Sequence, residues 1–84
     1  MLDAAQIRAA RALLDWHQEE LAKRSQVGLA TVQRLERWPQ GPVMAHVATV
    51  IKISECLQAA GIEFIDADAT AGVGVRFRKS KPSI

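Results

Sequence analysis

The sequence predicts a mainly α-helical domain of four, or five, short helices followed by a C-terminal β-hairpin. Three observations carry this. Apolar residues recur at helical spacing as far as Gly61. After Gly61 the period drops from about 3.6 to 2. Within residues 18–37, QEELAKRSQVGLATVQRLER, Leu21, Ala22, Val27, Val32 and Leu35 fall in the register of two helices joined by a tight turn.

The first helix is expected from about Asp3, a good N-cap, to Trp16. Ile7, Ala10, Leu13 and Leu14 form its apolar stripe, and Arg8, Arg11 and Asp15 lie away from it. The second starts near Gln18, with Glu19 and Glu20 at the positive end of the helix dipole; His17 fills the N-cap slot and is a poor cap. Leu21 and Ala22 face inward, Ala22 being small where the helices would cross most closely. Ser25-Gln26-Val27 makes the turn. The third helix begins at Gly28 or Leu29 and runs to about Arg37, and Trp38-Pro39-Gln40-Gly41-Pro42 stops it. A longer fourth helix ends at Gly61, which suits a C′ position. Val47, Val50, Ile51, Ile53, Leu57 and Ala60 give it a broad apolar face and mark it as the central core element. Ile62 to Asp66 and Val73 to Arg78 are the strands, joined by ADATAG, and the tail from Lys79 to Ile84 is expected to fray. The organisation is therefore a helical domain over 1–61, a hairpin extension over 62–79 and a flexible tail over 80–84.

A chain of 84 residues has room for one modest core, and dimerisation is a natural way for it to bury more surface. Net charge is only +2, so a nucleic-acid role must rest on where the basic residues lie. The single cysteine, Cys56, excludes an intramolecular disulfide, suits a reducing compartment and reads as a small hydrophobe beside Ile53 and Leu57. No stretch reaches the roughly 20 apolar residues of a membrane span, and MLDAAQIRAAR lacks signal-peptide features, so a cytoplasmic protein is expected. His17 and His46 are too isolated for a metal site, and Asp66 and Asp68 read as turn polarity. With no nucleophile–base set and no phosphate loop, neither an enzyme nor a cofactor is expected. Trp16 and Trp38, at helix ends, read as packing anchors rather than base-stacking platforms.

The turn and its two helices form a helix-turn-helix, which offers its second helix to the DNA major groove. Through Gln18, Leu21-Ala22, Val27, Val32 and the closing Arg34-Leu35-Glu36-Arg37, the chain resembles the Cro and lambda-repressor class of regulators, the Xre family, over about residues 4 to 60. The end, AAGIEFIDADATAGVGVRFRK, resembles the tail of small bacterial members that append a hairpin. The resemblance implies a lambda-repressor-like helical bundle and DNA binding. Two positions depart from the family pattern, which usually has Gly where this chain has Gln26 and often Ser or Thr where it has Gly28. A non-Gly residue held at positive φ costs on the order of 1 kcal/mol, so Gln26 is either strained or the turn is altered. Gly28 removes a hydroxyl that would reach phosphate, though Gly is itself an acceptable N-cap.

Away from Val32 and Leu35, the third helix presents Leu29, Ala30, Thr31, Gln33 and Arg34. The resemblance implies that positions at the start of this helix reach base edges. Leu29 and Ala30 can at most touch a thymine methyl, Thr31 offers one hydrogen bond or a methyl, and Gln33 reads adenine or reaches phosphate. Arg34 is the candidate for bidentate recognition of guanine. Gln18 matches the family position that fixes a phosphate, and Arg37 with the following loop adds backbone contacts. The DNA-facing set is thus Gln18, Gly28, Leu29, Ala30, Thr31, Gln33, Arg34 and Arg37. Arg11 and Glu36 match a family salt bridge tying the first helix to the third; the bland alternative is two exposed charges.

Ile62, Phe64, Val73, Val75 and Phe77 give the hairpin one apolar side, which must pack against its own helices or against a second subunit. Edge-to-edge pairing of two hairpins across a two-fold is the preferred expectation, giving a homodimer whose recognition helices face major grooves about 34 Å apart. Arg76, Arg78, Lys79 and Lys81 crowd the end of this segment, as a charge-protected edge or a second phosphate-binding stripe. The expected function is a bacterial or phage transcriptional regulator, most simply a dimeric repressor on double-stranded DNA. Two alternatives stand beside it. One is an antitoxin-like or accessory regulator whose hairpin engages another protein; the other is a protein-interaction adaptor with little DNA affinity.

Overall fold

The computed structural model describes residues 2–39 and 41–79. Its elements run α1 (Ala4–Leu13), α2 (Gln18–Ser25), α3 (Leu29–Glu36), α4 (Val47–Ala59), β1 (Ile62–Ile65) and β2 (Gly74–Phe77). Among the described residues the helices number four. The tail 80–84, Lys81 and Gln40 of the loop lie outside the described residues.

Asp3 caps α1 in an extended conformation, and its N–H donates to Gln6 Oε1 at 3.0 Å. The helix stops at Leu13, three residues before the expected end at Trp16. The cause is a Schellman closure: Asp15 takes φ +57°, its N–H donates to the Ala12 carbonyl at 3.1 Å, and the Trp16 N–H reaches the Arg11 carbonyl at 2.9 Å. α2 ends in the same motif. Gln26 sits at φ +58°, its N–H donating to Lys23 O and the Val27 N–H to Ala22 O at 3.1 Å. Of the two readings open for Gln26, the structure has the left-handed one. His17 caps α2 without a side-chain bond, and Gly28 caps α3 likewise.

Ile7, Ala10, Leu21, Ala22, Val32, Leu35 and Leu57 all belong to one buried cluster. α2 packs on α3 and α4, while α1 packs on α3. The loop after α3 is strapped to the N-terminus, the Val43 N–H donating to Leu2 O at 2.9 Å. The broad core face expected of α4 is corrected. Only Ile53 and Leu57 of that helix are buried; Val47 is 73% and Ile51 46% exposed, and Val50 is half-buried. No described helix is long and apolar enough to cross a membrane.

The strands pair antiparallel with Ile62 opposite Phe77, Glu63 opposite Arg76, Phe64 opposite Val75 and Ile65 opposite Gly74. Val73, expected to open the second strand, lies just outside it. Asp68 Oδ1 accepts from the Thr70 N–H at 2.8 Å and the Ala71 N–H at 2.9 Å, closing the connection as an Asx turn. Gly61, at φ +106°, lets the chain leave α4 directly into β1. The hairpin folds back on its own helices: β2 packs on α1 and β1 on α4. Ile62 is 1% exposed within the helical core, a burial that contributes about 2 kcal/mol. Buried Gln6 adds a polar latch, its Nε2 donating to Ile65 O at 3.2 Å and Gly74 O at 3.0 Å.

Candidate nucleic-acid interface

The eight residues of α3 are held at both ends by other elements. Val32 and Leu35 anchor its inner face, and Leu29 joins them, half-buried against the core. The expectation that Leu29 faces away from Val32 is corrected here. Three residues before Val32, it falls on the same stripe of the helix. The outer face is a line of Ala30, Arg34 and Arg37, spaced four and three apart and all exposed. Thr31 and Gln33 flank this line half-buried, and exposed Gly28 opens the helix. Arg34 lies in the last turn, where its charge also suits the negative end of the helix dipole.

A buried carboxylate fixes α3 against α1. Glu36, at 2% side-chain exposure, accepts from Arg11 Nε at 2.9 Å and from the other arm of the guanidinium at 2.9 Å. The two charges expected to pair are therefore bidentate. The hydrogen bond to Glu36 holds the Arg11 guanidinium above its ordinary pKa, opposed in part by burial. Arg11 also donates to Trp16 O at 3.0 Å, tying the end of α1 to the same cluster.

Gln18 belongs to this network. Its Nε2 donates to Glu36 Oε1 at 3.1 Å, which uses one of the two amide protons and fixes the side chain at the start of α2. Sequence reasoning missed Arg8, whose guanidinium donates to the backbone carbonyl of Glu36 and satisfies one of the orphan acceptors ending α3. The available signal was its position three residues before Arg11, on the same side of α1.

The remaining candidates distribute as follows. Trp16 and Trp38 both pack half-buried on the core. Arg24 stands over the Trp16 ring at 4.8 Å and pairs with Glu20, so it belongs to this packing cluster. Cys56 is half-buried and burial pushes its thiol pKa up, the environment of a small hydrophobe rather than a reactive thiolate. Among the described residues no group of three or more His, Cys, Asp or Glu side chains is placed to hold a metal ion. Within the hairpin, Ile62 is in the core and Phe64 and Val75 are half-buried against it, while Val73 and Phe77 remain at the surface. Arg76 pairs with Glu63 at 2.8 Å, and Arg78 donates to the Gln58 carbonyl.

A helix pair closed by a tight turn, with a third contact holding the second helix by a buried ion pair, is a complete helix-turn-helix unit. The helix-turn-helix family model matches residues 7–63, from the core face of α1 into β1. No curated protein matches the chain. The match spans most of the chain and takes in α2, α3, α4 and α1 from Ile7 onward; the protein belongs to the Xre-type helix-turn-helix family, the Cro and lambda-repressor class of DNA-binding regulators.

Proposed function

We propose that this protein is a sequence-specific transcriptional regulator that acts as a homodimeric repressor, laying α3 in the major groove of an operator. The observation carrying the proposal is the exposed line Ala30–Arg34–Arg37 on a helix locked from behind by Arg11 and Glu36. A rigidly held helix presenting one arginine on the exposed side of its last turn suits base readout, because bidentate contact with guanine needs a fixed fork. In this reading Arg34 reads guanine, Gln33 and Thr31 offer one polar contact each, and Ala30 meets a thymine methyl. Half-buried Leu29 contributes at most a methyl edge to DNA, and Gly28 only its backbone. Gln18, with its second amide proton still to donate, fixes a phosphate beside the start of α2, and Arg37 holds the backbone at the other end of α3. So few polar groups reach the bases that DNA shape and half-site spacing carry much of the specificity. The natural setting of such a repressor is the cytoplasm of a bacterium, on chromosomal or phage DNA.

Competition binding of the wild type and two variants tests the assignment. Arg34→Ala is expected to weaken specific binding by about 1–3 kcal/mol and relax preference at one base pair. Arg37→Ala is expected to weaken specific and non-specific binding alike and lower the salt dependence by about one ion. Binding indifferent to Arg34→Ala overturns the readout role and favours the adaptor alternative.

A further inference from the structure

Arg8, Arg11, Arg24, Arg76 and Arg78 each donate a side-chain hydrogen bond within the chain. Among the described residues, Arg34 and Arg37 find no such partner. Both stand at the end of α3, where an arginine can turn back on the helix's own terminal carbonyls. Here those acceptors already have donors. The Arg34 carbonyl accepts from the Arg37 N–H at 3.2 Å and the Leu35 carbonyl from the Trp38 N–H at 3.1 Å. The Glu36 carbonyl, the last of α3, accepts from the Arg8 guanidinium of α1. We infer that Arg8 is a positioning residue for base readout, a role that rests on the DNA-binding reading. By closing the Glu36 carbonyl from another helix, it fixes the last turn of α3 and leaves the Arg34 fork free for guanine.

Glu36 is gripped twice from α1. Arg11 holds its carboxylate, and Arg8, three residues earlier and on the same side of α1, holds its carbonyl. The two grips do different work. The carboxylate is buried, so losing Arg11 strands a charge, whereas Arg8 is exposed and water can replace its bond. Water restores the hydrogen bond without restoring the direction. A guanidinium rooted on α1 holds the carbonyl at a second fixed point, and two points stop the helix end from pivoting about the Arg11–Glu36 contact. The body of α3 stays anchored through Val32 and Leu35 in either case. Arg8 also borders, with Trp38, Pro39 and Gly41, a hollow of about 190 Å³ where the chain leaves α3. Its positive charge suits the negative end of the α3 dipole. Loss of Arg8 therefore loosens the turn that carries Arg34 and frees an acceptor for that guanidinium, while the fold and the phosphate contacts survive.

The first test needs no DNA. Hydrogen exchange of the full chain is expected to show the Arg37 and Trp38 amides exchanging about three- to tenfold faster in Arg8→Ala, with the amides of α2 unchanged. Unchanged exchange at both amides, or equal acceleration throughout the chain, overturns the positioning role. The second test measures affinity for the duplex recovered by selection, for the same duplex with its guanine replaced by adenine, and for unrelated DNA. Arg8→Ala is expected to lower the guanine preference about three- to tenfold, leaving non-specific affinity and salt dependence as in wild type. Arg8→Lys, which keeps a donor to the carbonyl, is expected to restore most of that preference. In an Arg34→Ala background, Arg8→Ala is expected to have no further effect on it, because the role runs through Arg34. A parallel fall in specific and non-specific binding with a weaker salt dependence would make Arg8 a phosphate contact and overturn the inference. An undiminished effect without Arg34 overturns it as well. A wild type with no guanine preference overturns the Arg34 reading and Arg8's part in specificity with it, and the exchange result still decides whether Arg8 fixes the end of α3.

Discussion

Replacing Arg11 with alanine should do more damage than any substitution on the DNA-facing surface. The Glu36 carboxylate is 2% exposed and holds three hydrogen bonds, two from Arg11 at 2.9 Å and one from Gln18 at 3.1 Å. Arg11→Ala removes two of the three and the compensating charge, stranding a buried anion. Breaking an enclosed pair in this way costs about 3–5 kcal/mol. Because the Arg11 side chain is 22% exposed, water enters the space it leaves, and the expected loss falls at the low end, about 3 kcal/mol. In a domain of this size that lowers Tm by about 10–25 °C. The loss arises from the stranded charge rather than from the value of the pair. Arg11→Met combined with Glu36→Leu should therefore recover to within about 1–2 kcal/mol of wild type. Urea unfolding followed by circular dichroism measures both, with unchanged m values licensing the comparison. A single Arg11→Ala variant within about 1 kcal/mol of wild type, or a double variant no better than the single, would show that no stranded charge on Glu36 sets the loss.

Three further outcomes follow from other parts of the fold. Gln26→Gly removes a left-handed side chain from the helix-turn-helix turn and should stabilise the domain by about 0.5–1 kcal/mol, read as a rise in Tm; a fall would show that the Gln26 conformation carries no strain. Gln6→Ala strips the donor from the Ile65 and Gly74 carbonyls and should cost about 1–3 kcal/mol, with hydrogen-exchange protection lost first in β1 and β2; uniform loss over the chain would contradict a latch. Glu63 is held below the ordinary carboxylate range by its hydrogen bond from Arg76, and Asp68 by the bonds from Thr70 and Ala71. Depressed values mean these contacts are in place above about pH 4 and are lost as pH falls through the folded-state values. NMR titration should place both carboxyl midpoints below their ordinary values, with hairpin resonances shifting in the same acid range; ordinary midpoints would sink this reading.

What was legible in the sequence was the part set by local periodicity. Leu21, Val32 and Leu35 are spaced as helix faces require, and all three are fully buried. The breaks at Pro39 to Pro42 and at Gly61 were equally readable, because Pro and Gly restrict or free the backbone in ways no context reverses. The α1 end was misjudged because the left-handed residue is Asp15, not glycine, and nothing local distinguishes that Asp from a helical one. The width of the apolar face of α4 was legible, but how much of it neighbours cover was not: Ile53 and Leu57 have partners, while Val47 and Ile51 do not meet the core. Gln6 was invisible for a different reason. Its carbonyl partners lie 59 and 68 residues away in sequence, and only the fold brings them together. Within the candidate site, the exposed position of Arg34 on α3 is readable from helical periodicity, and the Arg11–Glu36 pair from the resemblance to the family. Leu29 needed the exact start of α3, and the Gln18 and Arg8 contacts needed the packing of three helices around one carboxylate.

Selection of bound sequences from a random duplex pool at near-physiological salt tests whether α3 reads a specific operator. Base readout by α3 in a dimer predicts an enriched inverted repeat with half-sites about one helical turn apart and a guanine preference in each half-site that Arg34→Ala removes. No enrichment, or binding that disappears with modest salt, would mean contact with phosphates alone and would contradict a sequence-specific regulator.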